Sequence, residues 1–365
     1  MKIIFLSKRR PQSRDLFSRP FGRFYYLPLE LAKNGHQIHL ILLNYKNEDE
    51  FYIKKDNIHW HSVNLFPNPF SYYFYSRSLS KKIKADYIIG LSDIIYGVCA
   101  VKLSKVTETL SLIDAYDNYE SYISWLKPLH WMWRYALKKT DLVSAAGPEL
   151  LNKMTGDNDR KEDTKLVLEM AADPVFSPQL KFVSRKKLGI PEDKFVIGYS
   201  GSLSNERDTE TLLSAFTYLS KRYSNICFVF SGRNINKTDL SHIKNVISLG
   251  YVKDELVPNV LASFDCLVSV NRSDEFGNYS YPVKLYEALS MGVPVLASKT
   301  MSTTFVLRDY PDLLFSAGDS KSLIDKIEKL MLKPPQLRMK KDSWEVQGKK
   351  LSEFLIAARG YPPEK

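Results

Sequence analysis

Lys284 and Glu287 are the two charged residues in the stretch NYSYPVKLYEALSMGVPVLAS, residues 278–298. Val283, Leu285, Ala288 and Leu289 recur at helical spacing, so the lysine and glutamate share one face of a short helix. Pro282 suits its first turn and Gly292 its end. The run VPVLAS then reads as a buried strand. A lysine at a helix start can neutralise a phosphate, and a glutamate one turn on can accept hydrogen bonds from sugar hydroxyls. The loop amides of residues 280–285, contributed among others by Ser280, Val283 and Leu285, would cradle a diphosphate; Pro282 has no N–H to offer. An ordinary surface ion pair is the competing reading.

A second stretch of the same chemical kind is GYSGSLSNERDTETLLSAF, residues 198–216. An apolar strand enters a turn containing Gly201 and Ser202, and a helix begins near Asp208. Glycine lets backbone amides approach a phosphate, and the helix N-terminus adds positive potential. Arg207 could grip a diphosphate with its planar fork. A plain strand-to-helix turn with a solvated arginine explains the pattern equally well.

The elements that must position these residues are legible in the alternation of short apolar runs and helical stretches. KIIFLS, HQIHLILLNY, DYIIGLS, LSLID, DLVSAAG and LVLEM read as strands, with helices between them. This rhythm implies a parallel sheet with helices on both faces. Residues 173–192, rich in proline and charge, read as a linker. The alternation restarts at FVIGYSGS and continues through NICFVFSG, VISLGYV, DCLVSVN and VPVLAS. The 365 residues therefore divide into a domain over 1–172, the linker, and a domain over 193–340. Residues 341–365 hold an amphipathic helix that Asp342 or Ser343 could cap, with Trp344, Leu351, Phe354 and Leu355 on one face. In open sheets of this kind ligands bind beyond the carboxyl ends of the strands.

Composition narrows the class further. Hydrophobic residues make up 44% and charged residues 25%, as in ordinary globular proteins. No apolar run is long enough to cross a bilayer, and MKIIFLSKRR has the wrong charge order and too short a core for a signal peptide. Cys99, Cys227 and Cys266 are too few for a disulfide framework and read as buried apolar residues of a reducing compartment. His59 and His61 share a strand face but lack a third ligand, so no metal site is expected. The net charge of +11 suits an anionic partner.

The combination GYSGSLSNERDTETLLSAF, FVFSGR, LGYV, DCLVSV and YPVKLYEALSMGVPVLAS resembles the donor-binding half of glycosyltransferase family 4, which has the GT-B fold. MKIIFLSKRRPQSRD, RFYYLPLELAKNGHQIHLILL, SLIDAYDNYESY and KKTDLVSAAGPELL resemble its first half. DSWEVQGKKL is similar to the terminal helix that crosses back onto the first domain. The resemblance implies an α/β chain of two Rossmann-like domains facing across a cleft. It also implies a retaining transfer from a nucleotide diphosphate sugar, with no metal and no other cofactor. Many members carry a pair of glutamates, the second at the place of Glu287 and the first at the place of Tyr279. This chain is closer to a variant with Tyr-Pro-x-Lys-Leu-x-Glu, in which the lysine serves diphosphate binding.

The same resemblance places Arg207 at the diphosphate and Arg233 in the nucleotide pocket. It brings Gly250, Tyr251 and Val252 to the base. Glu275 and Asn278 are left as polar candidates for the sugar. The basic loop SKRRPQSRDLFSRPFGR follows the first strand, and Arg14, Asp15, Arg19 and Gly22 are its candidates for contacting acceptor or donor phosphate. In DAYDNYES, Asp117 is the choice for a group reaching the reacting centre, alongside Arg207 and Lys284, and Asp114 is the reserve. Either aspartate could equally cap the following helix.

FPNPFSYYFYSRSLSKKIK (66–84) and SWLKPLHWMWRYALKK (124–139) mix aromatics with Lys and Arg. That pattern suits the headgroup region of an anionic bilayer, unless the aromatics are core. The expected protein is a cytoplasmic glycosyltransferase of cell-surface polysaccharide synthesis, peripheral at the inner membrane face, with a glycan or lipid-linked acceptor. Rival readings are a nucleotide-sugar epimerase of the same fold and a non-catalytic nucleotide-sugar or glycan-binding subunit. Nucleic acid is not an expected partner, because no recognition motif accompanies the charge.

Overall fold

The computed structural model describes residues 1–91, 93–156, 160–203, 207–235, 237–335 and 342–360. The chain divides into two compact units, one formed by Met1–Ala171 with Asp342–Lys365 and the other by Ala172–Lys341.

The first unit is built on an eight-stranded sheet. Its strands are β1 (Lys2–Lys8), β2 (Gln37–Asn44), β3 (Phe51–Lys55), β4 (Ile58–Asn64), β5 (Tyr87–Gly90), β6 (Leu110–Ala115), β7 (Leu142–Ala145) and β8 (Lys165–Val167). The order is β3-β4-β2-β1-β5-β6-β7-β8, parallel except for β3, which pairs antiparallel with β4 at the edge. Their hairpin was not foreseen from the sequence. Asp56 and Asn57 both take positive φ, at 55° and 59°, a turn that Asp and Asn tolerate well. The central strands are mostly apolar, and Ile3 to Leu6 and Ile38 to Leu42 are buried, polar His39 included.

The last helix, Trp344–Ala358, belongs to this unit and lies along the helix Gly22–Lys33. Ser343 caps it by accepting from Val346 N. Trp344 stacks on Tyr26 with centroids 5.9 Å apart, and Tyr87 Oη donates to Leu355 O at 2.6 Å. Gly348 permits the close approach, since a Cβ there would fall 2.2 Å from Glu30 Cβ.

The second unit holds a six-stranded, wholly parallel sheet. Its strands are β9 (Phe195–Ser200), β10 (Ile226–Ser231), β11 (Val246–Ser248), β12 (Cys266–Ser269), β13 (Val295–Lys299) and β14 (Leu314–Ser316). The order is β11-β10-β9-β12-β13-β14, so the chain reverses direction across the sheet between β9 and β12. Helices Thr209–Arg222, Val283–Ser290 and Ser320–Leu332 follow β9, β12 and β14.

Part of the stretch read as linker is instead the helix Lys181–Leu188. Its stability comes from tertiary contacts that no periodicity reveals. The guanidinium of buried Arg185 donates to Ser263 O, Glu192 O and Lys194 O, and to Asp265 Oδ2 at 2.6 Å.

Candidate functional site

The donor-side residues that the sequence singled out lie beyond the carboxyl ends of strands β9 to β12 of the second sheet. Helix Val283–Ser290 starts there after the loop that leaves β12. Pro282 stands at its N-cap and no side chain caps it, so the first-turn amides of Val283 and Lys284 have no intrahelical acceptor. Its far end closes with Gly292 at φ +73°, while Val293 N donates to Ala288 O at 2.9 Å. Buried Leu285, Ala288 and Leu289 hold the helix to the sheet.

On this helix Lys284 Nζ pairs with Glu287 Oε2 at 2.6 Å. Glu287 is 7% exposed, which sets the pair apart from a solvated surface bridge. The ammonium also lies 5.6 Å from the ring centroid of Phe176.

Arg207 stands just before helix Thr209–Arg222, beyond the end of β9. Its Nη1 donates to Asn271 Oδ1, and its guanidinium lies over Phe276 at 5.2 Å. Neither Asn271 nor Phe276 was singled out from the sequence. The position of Asn271, two residues past apolar β12, was the available signal, because ligands meet strands at that end.

The Gly-Ser stretch differs from a free turn. Gly201 N donates to Ser231 O at 2.8 Å and Leu203 N to Arg233 O at 2.9 Å, so β9 and β10 go on pairing past their ends. Ser202 is half-buried in this extension, and residues 204–206 of the turn lie outside the described residues. Gly232 makes the pairing possible: its φ is +135°, and a Cβ would fall 2.0 Å from Gly201 O. Arg233 is exposed, with its guanidinium 5.2 Å from the ring of Tyr251, next to half-buried Val252.

In the loop after β12, Asn278 is occupied in holding the loop. Its Oδ1 accepts from Ser273 Oγ and Met301 N, each at 3.3 Å, and its carbonyl from Ser302 N. Ser280 is buried, Glu275 exposed and Tyr279 half-buried.

The first unit has its own set. Asp15 is the hub of the basic loop: it pairs with Arg9 Nε at 2.8 Å and Arg10 Nη2 at 3.1 Å, and accepts from the amides of Phe17 and Ser18. Arg14 lies over Phe21, Arg19 is exposed, and Gly22 opens the helix at φ +56°. Asp114 is 3% exposed, and both its oxygens are engaged by Arg23 and Ser144. Asp117 accepts from Tyr122 Oη and lines a groove of about 570 Å³ with Glu120, Trp133, Arg134, Lys138 and Lys153. Where the strand order reverses in this sheet, Lys8 Nζ of β1 lies 3.4 Å from Asp93 Oδ2. The sequence reading passed over that pair.

The three cysteines are free, and burial pushes the Cys266 thiol well up, which keeps it protonated and inert. Among the described residues no cluster of His, Cys, Asp and Glu could hold a metal ion, and no helix is long and apolar enough to cross a membrane.

Residues 181–347 match the family model of the glycosyl transferases group 1. CapM of Staphylococcus aureus, a capsular polysaccharide biosynthesis glycosyltransferase, is 24% identical over 206 residues, 53% of this chain and 52% of that protein. The chain thus spans about half the length of the curated relative it matches. Among solved structures, sucrose-phosphate synthase from Thermosynechococcus elongatus superposes with a TM-score of 0.72 at 14% identity, over 98% of this chain and 96% of that one. HepE of Anabaena, solved in complex with UDP-glucose, gives 0.68 at 14% identity over 99% and 97%. WaaG, a glycosyltransferase involved in lipopolysaccharide biosynthesis, gives 0.63 at 15% identity over the whole of both chains. The chain has the GT-B fold of two α/β domains, and within it residues 181–347 match the glycosyl transferases group 1 model.

Proposed function

We propose that the protein is a glycosyltransferase that moves a sugar from a nucleotide diphosphate donor to a glycan or lipid-linked acceptor of cell-surface polysaccharide, with retention of configuration. The observation that carries this reading is the grouping on one sheet edge of Lys284 with Glu287 and of Arg207 with Asn271, all inside the glycosyl transferases group 1 domain. The reported complexes of HepE with UDP and with UDP-glucose support a nucleotide-sugar donor.

The chemistry follows from these groups. Departure of the diphosphate leaves an oxocarbenium-like sugar and builds charge on the leaving oxygens. Arg207, Lys284 and the amides of Val283 and Lys284 are the cationic and dipolar groups that stabilise it. Glu287 holds Lys284 in place and offers its carboxylate to ribose hydroxyls. The acceptor hydroxyl attacks from the face the diphosphate leaves, and a leaving phosphate oxygen takes its proton. No protein nucleophile and no metal are needed for that step. In the first unit Asp117 is the carboxylate assigned to the acceptor side, with Arg14, Arg19 and the Gly22 turn as its phosphate contacts.

The membrane side of the reading rests on exposure. Trp125 and Trp131 are 77% and 66% exposed, and Tyr135 is 56% exposed, beside Lys127, Lys138 and Lys139. Only Trp133 of this group turns into the core. Phe66, Phe70 and Phe74 are likewise exposed. Aromatics with adjacent basic residues suit the headgroup layer of an anionic bilayer, and this supports a peripheral enzyme at the cytoplasmic membrane face.

Calorimetric titration with UDP, GDP, ADP and CMP tests the donor reading. One diphosphate should bind the wild type and lose its affinity in Lys284→Ala and Glu287→Ala. Failure of every nucleotide to bind overturns the transferase assignment.

A further inference from the structure

Asn271 lies two residues beyond β12, where β12 neighbours β9 and the strand order reverses. It is 1% exposed. Its backbone N–H donates to Ser298 Oγ at 3.1 Å, which fixes the main chain to β13. Its Oδ1 accepts from Arg207 Nη1. A guanidinium can only donate, so the amide oxygen must face Arg207 and the NH₂ must point elsewhere. Among the described residues, that buried Nδ2 has no hydrogen-bond partner. Buried donors are normally satisfied, and one left open beside a cation suits an anionic oxygen.

We propose that Asn271 is a positioning and binding residue of the diphosphate site. Its Oδ1 sets the plane of Arg207, and its Nδ2 donates to a phosphate oxygen of a nucleoside diphosphate. The proposal rests on the donor site described under the proposed function. It adds to that site a neutral residue whose two amide ends do different work. Phe276 lies against the same guanidinium, with its ring centroid 5.2 Å from Arg207 Cζ, a second contact on the cation.

The test uses the full chain and whichever of UDP, GDP or ADP binds the wild type, together with its nucleoside and with pyrophosphate alone. Asn271→Ala removes both contacts. Asn271→Asp keeps the shape, loses the donor and draws Arg207 into an ion pair; it is the variant to read if Asn271→Ala does not fold. Diphosphate and pyrophosphate affinity should fall about tenfold in Asn271→Ala and further in Asn271→Asp, with nucleoside binding unchanged. Combined with Arg207→Ala, Asn271→Ala should cost less than the sum of the two. Folded Asn271 variants that bind diphosphate like the wild type, while Arg207→Ala weakens it, overturn this proposal alone. Equal loss of nucleoside and diphosphate marks a merely structural asparagine and overturns it too. A wild type that binds no nucleotide overturns the donor site and this proposal with it.

Discussion

Arg23 grips both carboxylate oxygens of Asp114, with Nε at 2.9 Å from Oδ2 and Nη2 at 2.6 Å from Oδ1. The two side chains are 1% and 3% exposed, and Ser144 Oγ adds a third bond at 2.7 Å. Arg23 also reaches Leu168 O, so the pair ties the first helix to the carboxyl ends of β6, β7 and β8. Removing one partner leaves a buried charge uncompensated. Asp114→Ala and Arg23→Ala should each cost about 3–5 kcal/mol of stability, read by urea unfolding. A loss below about 1 kcal/mol in both would mean that the charge finds water.

Gly232→Ala tests the close pairing of the extended ends of β9 and β10. The new Cβ would meet Gly201 O at 2.0 Å, on a backbone with φ +135°. Strain and overpacking together should cost roughly 2–5 kcal/mol. Gly250→Ala, at φ +61° with nothing within 4 Å, should cost less than Gly232→Ala. Equal unfolding midpoints for the two would show that the contact with Gly201 carries no weight.

A stack of histidines on β2 and β4 makes stability depend on pH. His39 Nδ1 and His61 Nε2 share a hydrogen bond at 3.0 Å, and His59 stacks on His39 at 4.4 Å. Tyr75 and Gln37 take up further ring nitrogens. Burial first, and the neighbouring imidazoles second, hold His39 down at about 4 and His61 at about 3. The unfolded chain takes up protons near pH 6.5 that the folded chain refuses. Stability is therefore unaffected by these groups above about pH 6.5. It falls as pH drops toward 4 and then 3, by at most about 1.4 kcal/mol per pH unit for each histidine. Melting curves from pH 7.5 to 4 of the wild type and of His61→Asn should converge as pH falls. Parallel curves would sink the assignment.

Exposure of Trp131 and Tyr135 predicts binding to vesicles that contain anionic lipid. Lys138→Ala and Lys139→Ala should each lower the partition coefficient about fivefold at low salt. Trp131→Ser should reduce the blue shift in tryptophan emission, leaving the part contributed by exposed Trp125. Equal partition onto neutral vesicles would contradict the electrostatic part of the argument.

The alternation of apolar runs and helical stretches determined the α/β class, because period and length of apolar segments decide strand or helix before any tertiary contact forms. It also exposed the Lys284–Glu287 pair, since residues three apart on a helix are neighbours by geometry alone. The tertiary structure decided what sequence distance hides. Asn271 reaches Arg207 only because β9 and β12, 64 residues apart at that contact, are neighbouring strands. Asp114 is enclosed by Arg23 across 91 residues of chain. Residues 181–188 are helical because Arg185 finds carbonyls and Asp265 elsewhere in the fold. In the aromatic stretch 124–139, composition could not separate core from surface. Packing turned Trp133 inward and left Trp131 outside, because a helix can bury only the face that meets its neighbours.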